Sequence, residues 1–281
     1  MANAQPCAWH RRTWGLPMTM SSAQNREVEA MTLLSISRNG PVRTIILNRP
    51  EKRNALNFEM MQGLINAFAA EPHYSERVTV IRAQGKAFCA GLELSSDGLQ
   101  DGAEDMVVRM FDTIQRYPLP VVARVQGPAI AGGCELALHC DFIVADADAP
   151  FGMPLAQLGV TSNWFLTKKI METMGLVAAR ELLMLGDFIP AKVFHANGHI
   201  ARAVAASELD AETDKVVQRL AANAPLSMRI LKKLLLKQVS FYDEIEHSIE
   251  DEEVRRVFAS KDALEGVAAR IEKRAPQFEG S

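Results

Sequence analysis

Val121-Val122-Ala123-Arg124-Val125-Gln126-Gly127-Pro128-Ala129-Ile130-Ala131-Gly132-Gly133-Cys134-Glu135-Leu136-Ala137 is the stretch on which the fold turns. Val121, Val122, Ala123 and Val125 form a short apolar run rich in β-branched residues, as in a strand buried on both faces. Gln126-Gly127-Pro128 closes that strand, because glycine and proline punctuate regular structure. Ala131-Gly132-Gly133 then opens a short helix from Cys134 to His139, and Phe142-Ile143-Val144-Ala145 is the next strand. Strands alternating with helices imply a mainly parallel sheet and an α/β fold. The helix start has a chemical consequence as well. Its first backbone N–H groups have no partner within the helix, so they are donors to negative charge.

Working outward, a second segment has the same character: Gly85-Lys86-Ala87-Phe88-Cys89-Ala90-Gly91-Leu92-Glu93-Leu94 follows the short β run Val78 to Arg82. Gly91 allows a turn where a side chain would block a ligand. Upstream, Leu33 to Ser37 and Val42 to Leu47 alternate as paired strands about the hairpin signal Asn39-Gly40. Asn57 caps a helix with Met60, Met61, Leu64, Ile65 and Phe68 at helical spacing. Met106 to Tyr117 reads as another helix. Past residue 160 the helices expected are Trp164 to Met174, Leu176 to Leu185, Ala191 to Ala196, Leu209 to Ala222, Leu226 to Gln238, Tyr242 to Phe258 and Asp262 to Lys273. The division expected is therefore 1–30, a disordered extension or the product of an upstream start, with organelle targeting ranked second; 31–205, the α/β core; and 206–281, a helical C-terminal region.

Composition bounds the function. The chain has 281 residues, 48% hydrophobic and 23% charged, with 31 Lys and Arg against 34 Asp and Glu, a net charge of −3. That balance provides no broad basic face for nucleic acid, and 6% aromatics provides no stacking platform for single strands. No apolar run reaches the ~18 residues that span a bilayer, so no membrane partner is expected. The four cysteines, Cys7, Cys89, Cys134 and Cys140, form no C-x-x-C pair and no zinc spacing with histidine. A reduced, cytoplasmic protein without a metal is the expectation.

Two glycine turns after successive strands, one with Glu135 three residues past Gly132, suit a pair of N–H groups converging on one carbonyl oxygen. Such donors stabilise enolates and tetrahedral oxyanions, and removing one typically costs about a hundred- to a thousand-fold in rate.

The sequence resembles the crotonase (enoyl-CoA hydratase/isomerase) superfamily. The resemblance rests on Leu47-Asn48-Arg49-Pro50-Glu51-Lys52-Arg53-Asn54-Ala55-Leu56-Asn57, on Ala87-Phe88-Cys89-Ala90-Gly91-Leu92-Glu93-Leu94 and on Ala131-Gly132-Gly133-Cys134-Glu135-Leu136-Ala137. Phe151-Gly152-Met153-Pro154 and Glu272-Lys273-Arg274-Ala275-Pro276-Gln277-Phe278 add to it, and it covers roughly residues 31–278. The resemblance implies a spiral of ββα units with a helical C-terminal trimerisation region, assembling as a homotrimer or a dimer of trimers. It implies an acyl-CoA substrate, coenzyme A being part of that substrate and no cofactor being bound permanently. The oxyanion donors it implies are the N–H groups of Leu92 and Gly132. For the CoA moiety it implies Lys52, Arg53, Ala55, Leu56, Phe88 and Ala90, with Lys273 and Phe278 reaching the CoA of a neighbouring subunit. Lys52, Arg53 and Lys273 are equally readable as solvated charges, and Phe278 as packing.

The hydratases of this family hold one water between two glutamates. The first corresponds to Glu135. The position of the second holds Leu155, and the carboxylate that some relatives use eight residues later is Asn163 here. The usual glycine-rich stretch is Thr161-Ser162-Asn163-Trp164-Phe165. The expectation is an acyl-CoA enzyme with Glu135 as its retained carboxylate, first of all a hydratase. A single-base isomerase, a decarboxylase, a thioester hydrolase and a catalytically silent acyl-CoA binder remain as alternatives.

Overall fold

A computed structural model describes residues 28–30, 33–94, 102–240 and 244–281. A seven-stranded sheet forms the outer wall. Its strands are β1 (Val28–Ala30), β2 (Leu34–Asn39), β3 (Val42–Leu47), β4 (Val78–Ala83), β5 (Val121–Val125), β7 (Phe142–Asp146) and β10 (Arg202–Val204), in the order β1-β2-β3-β4-β5-β7-β10. β1 to β3 pair antiparallel, and from β3 to β10 every pairing is parallel. Val28–Ala30 pair with Ser35–Ser37, so part of the segment expected to lie outside the fold is a strand of it; residues 1–27 are outside the described residues. Asn39 pairs with Val42, which makes Gly40 and Pro41 the turn; Gly40 takes the positive φ of 57°.

Each pass of the chain repeats one unit. An outer strand leads to a short inner extended run, and that run leads to a helix. The inner runs stack on one another: Leu56 bridges Leu92, Cys89 bridges Ala129, and β6 (Ala129–Ile130) pairs in parallel with β8 (Pro150–Gly152). The helices that close the four passes are α1 (Phe58–Ala69), α2 (Ala103–Arg116), α3 (Gly132–Leu138) and α4 (Trp164–Arg180). This is a spiral of ββα units. β9 (Ile189–Pro190) completes the inner sheet, in the order β6-β8-β9.

Period-two alternation explains why the sheet is covered on both sides. Ile81, Val121 and Ala123 face the main core with Met60, Leu64, Phe68 and Phe111 of α1 and α2. Val78, Val80, Val122 and Val144 face the other way, against Leu209, Val217 and Leu220 of α6 (Leu209–Ala221). The remaining helices are α5 (Ala191–Ala196), α7 (Pro225–Val239), α8 (Ser248–Phe258) and α9 (Lys261–Glu272). The two helices expected on either side of Gly175 form one run broken at that residue (φ 72°, ψ 170°) and ending in a wider π turn, Glu181–Leu185. The helix expected from Tyr242 begins at Ser248, and residues 241–243 lie outside the described residues. Among the described residues no helix is long and apolar enough to cross a membrane, and no group of His, Cys, Asp and Glu is placed to hold a metal ion.

Candidate active site

The site forms where the inner runs meet the start of α3. Leu56 N–H donates to Gly91 O (2.8 Å) and Glu93 N–H donates to Leu56 O (2.9 Å). Successive residues of a ladder point their amides in opposite directions. Leu92 therefore turns its N–H away from Leu56. A methyl built on Gly132 would lie 3.5 Å from Leu92 N and 3.5 Å from the Leu56 side chain. A methyl on Gly91 would lie 3.3 Å from Gly132 N. The two backbone nitrogens thus lie near one another beside the Gly91–Gly132 contact, and among the described residues neither N–H donates a hydrogen bond to the protein.

Backbone strain accompanies this arrangement. Ala131, just before α3, has φ 49° and ψ −121°, the first central position of a type II′ turn, where glycine is usual. Such a conformation costs on the order of 1–3 kcal/mol and persists where surrounding contacts hold it. Here Ala131 N–H donates to Gly152 O (2.8 Å), and Ala131 O accepts from Glu135 N–H (3.1 Å).

Glu135, one turn into α3, is 3% exposed, and its Oε1 has no hydrogen-bond partner. Burial without a compensating charge pushes its pKa from an ordinary 4.5 up to about 8. His139, one turn further, is sandwiched between Phe111 (ring centroids 4.7 Å apart) and Phe165 (5.3 Å). Its Nδ1–H donates to Glu135 O at 2.8 Å, and burial holds its pKa well below the usual histidine range. It is a neutral packing residue.

Glu135 faces a cavity of about 530 Å³ whose wall is mostly apolar. Ala90, Leu92, Ile130, Ala131 and Gly132 line one side, and Leu155, Leu158, Val160 and Leu166 line another. Leu155, where the resemblance leads one to expect a second glutamate, gives this wall an alkyl surface. The C-terminal region closes the cavity within the same chain through Phe258, Ala269, Arg270, Arg274, Pro276 and Phe278. α9 approaches closely because Gly266 packs on Leu158: a Cβ on Gly266 would lie 2.2 Å from Leu158 O.

The expected site residues divide into two groups. Glu135, Leu92, Gly132, Ala90 and Phe278 line one cavity, with Leu56 against Gly132. Phe278 does so in its own chain. Lys52, Arg53, Ala55, Phe88 and Lys273 are not part of that lining. Lys52, Arg53 and Lys273 are exposed, and the fully buried Phe88 ring packs in the core. The Lys52–Leu56 segment is nevertheless tied to the site. Ala90 N–H donates to Arg53 O (3.0 Å), and buried Asn54 clamps Arg49 N, Gln84 O and Ala87 O. Glu93 pairs with Arg49 at 2.7 Å, which lowers its pKa and fixes the loop.

Sequence reasoning missed Glu104, Arg270 and Arg274. Glu104 lies in the first turn of α2, half-buried, and lines the cavity. Its Oε1 accepts from Asn163 Nδ2 at 3.3 Å. An acid in a first helical turn is common, because it complements the helix dipole, so its sequence position carries no signal. Arg270, in the last turn of α9, and Arg274, two residues past its end, carry a weak one. Arg274 is engaged by Glu265 (2.8 Å) and Glu272 (2.6 Å).

Comparison with known proteins agrees with this architecture. A family model described as enoyl-CoA hydratase/isomerase matches residues 37–281. The chain is 31% identical over 255 residues to a probable enoyl-CoA hydratase of Mycobacterium leprae, covering 89% of this chain and all of that one. Among solved structures, it superposes on an enoyl-CoA hydratase from Mycobacterium avium subsp. paratuberculosis with a TM-score of 0.79 at 25% identity, over 89% of this chain and all of that one. It superposes on a methylmalonyl-CoA decarboxylase with a TM-score of 0.82 at 26% identity, over 90% of this chain and all of that one. With the spiral fold, the paired glycine turns and a match that runs from the second strand to the last residue, the chain belongs to the enoyl-CoA hydratase/isomerase family and is an acyl-CoA enzyme.

Proposed function

We propose that this enzyme hydrates 2-enoyl-CoA thioesters. The observation that carries the reading is the buried, unpartnered carboxyl of Glu135, one helical turn beyond Gly132 in an apolar cavity. The thioester carbonyl oxygen accepts from the N–H groups of Leu92 and Gly132, which stabilise the enolate formed as a nucleophile adds at Cβ. With a pKa of about 8, Glu135 is protonated at neutral pH and delivers its proton to Cα. The low-polarity wall, with Leu155 in it, raises the strength of every interaction with the developing charge.

The CoA chain runs from this cavity along Ala90, Leu56 and Ala55 toward Lys52 and Arg53, cations placed for its phosphates, with Phe88 supporting the wall from the core. Arg270, Lys273 and Phe278 border the exit from the C-terminal side. Metal plays no part in this chemistry, since backbone donors perform the polarisation. Assembly as a homotrimer, or as a dimer of trimers, would cover the exposed apolar residues of α7, Leu226, Ile230, Leu231, Leu234 and Leu235.

The test is hydration of crotonyl-CoA, followed as loss of the conjugated thioester absorbance, beside Glu135→Gln. Turnover that falls about a hundred- to ten-thousand-fold in the variant is expected. Wild-type protein that binds crotonyl-CoA without turning it over would refute the hydratase reading. Isomerase, decarboxylase and hydrolase substrates would then be the next to assay, and failure with all of them would identify a silent binder.

A further inference from the structure

We propose that Glu104 is the second catalytic carboxylate of this site, taking over from another helix the work that Leu155 cannot do. This rests on the hydratase reading and deepens it. Glu104 and Glu135 line one cavity and reach it from different helices, α2 and α3.

Asn163 fixes the arrangement. Its Oδ1 accepts from Leu166 N–H at 3.0 Å, capping α4. That bond determines which end of the amide faces the helix, so Nδ2 is the end directed at Glu104 Oε1, 3.3 Å away. Where some relatives have an acid, this chain has an amide that holds an acid from another helix. The His139 sandwich locks the same three helices together: Phe111 follows Glu104 on α2 by about two turns, Glu135 precedes His139 by one, and Phe165 follows Asn163 by two residues.

The two carboxyls also differ in environment. Glu135 accepts no hydrogen bond at Oε1 and faces no compensating charge, which favours its protonated form. Glu104 is raised by partial burial and by Asp105 and Asp251, but is opposed by the Asn163 hydrogen bond and by Arg255 of α8. Burial raises both, but only Glu104 has a hydrogen-bond donor and a cation to hold that rise back, which makes Glu135 the acid and Glu104 the base. Glu104 as carboxylate takes a proton from water while the water oxygen bonds to Cβ. The π electrons move to the thioester oxygen, held by Leu92 and Gly132. As the enolate collapses, Glu135 gives its proton to Cα. One water is added, and the proton on Glu104 returns through solvent to Glu135.

The experiment is the pH profile of kcat and kcat/KM for crotonyl-CoA hydration by wild type, Glu104→Gln, Glu104→Asp and Asn163→Ser, with CoA-thioester affinity measured on each. Asn163→Ser keeps an oxygen to cap α4. We expect Glu104→Gln to lose about a hundred- to ten-thousand-fold in kcat with KM changed little. Its acidic limb should disappear, and Glu104→Asp should recover part of the rate. Asn163→Ser should shift that limb to higher pH, because losing the hydrogen bond raises the pKa of the base. A merely structural Glu104 would move stability or KM and leave the limb in place. Wild-type turnover with Glu104→Gln equally active and its acidic limb intact would overturn the assignment while leaving the Glu135 reading standing. Absence of wild-type turnover would overturn both.

Discussion

Glu135→Gln should make the protein more stable at alkaline pH while removing its activity. In the native state burial raises the Glu135 pKa from 4.5 to about 8. In the unfolded chain the carboxyl has its ordinary value. Between those two values the native state keeps a proton that the unfolded state has released. Stability therefore falls as pH rises, at ~1.4 kcal/mol per pH unit for this one group. Below pH 4.5 both states are protonated and the contribution is fully present; above about 8 both are ionised and the loss is complete. Over the window the loss is about 5 kcal/mol, a large fraction of the 5–15 kcal/mol by which domains are usually stable. Glutamine has the same shape and cannot ionise, so the variant escapes the loss. The assay is urea unfolding of wild type and variant at fixed protein concentration from pH 4.5 to 8.5. Near pH 4.5 the two should have similar midpoints, and the variant should pull ahead as pH rises. A stability difference that stays flat from pH 5 to 8 would show an ordinary carboxyl at position 135. The proton-donor role would fall with it.

Gly132→Ala and Gly133→Ala, one residue apart, should separate function from folding. A methyl at Gly132 meets only ordinary contacts at 3.5 Å, one of them Leu92 N, so the variant should fold and lose about a hundred-fold or more in kcat/KM. A methyl at Gly133 would lie 2.1 Å from Cys89 O, a backbone atom, and should destabilise by about 1–3 kcal/mol in a melting curve; equal melting temperatures for the two variants would contradict the packing. Truncation after Lys273 removes Arg274, Pro276 and Phe278 from the cavity wall and should raise KM for acyl-CoA several-fold with a smaller effect on kcat; an unchanged KM would mean the tail does not touch substrate. His139→Phe should keep the aromatic stack and turn over within a few-fold of wild type. It should also lose less stability than wild type as pH falls below about 6.5, since the buried neutral histidine must otherwise take a proton on unfolding.

Much of the fold was legible because its signals are local. Val121 to Val125 reads as a strand buried on both faces, and in the structure Val121 and Ala123 pack toward α1 and α2 while Val122 packs against α6. Asn57 was legible as a cap, and its side chain accepts from Met60 N–H. The break at Gly175 was legible as the end of one helix and the start of another. Where the reading slipped, a tertiary partner decided. Val28–Ala30 form a strand because β2 offers an edge to pair with, a fact absent from their own residues. Phe88 looked like a ligand contact from its motif, and the core took its ring.

The candidate site shows the same division. The resemblance points to Leu92, Gly132 and Glu135, and the local sequence is consistent with it, because a helix start leaves its first N–H groups without helical partners and Glu135 follows Gly132 by one turn. Glu104 could not, because its meaning depends on Asn163, 59 residues away, and on a cavity that the two form together. The repeating strand–turn–helix unit could be read from local patterns of apolar, glycine and capping residues, while Leu92 and Gly132 as proposed donors came from the resemblance to the family. That α9 folds over the same chain's cavity, and that a second carboxyl faces it, emerges only from packing, since burial and proximity are properties of packed surfaces.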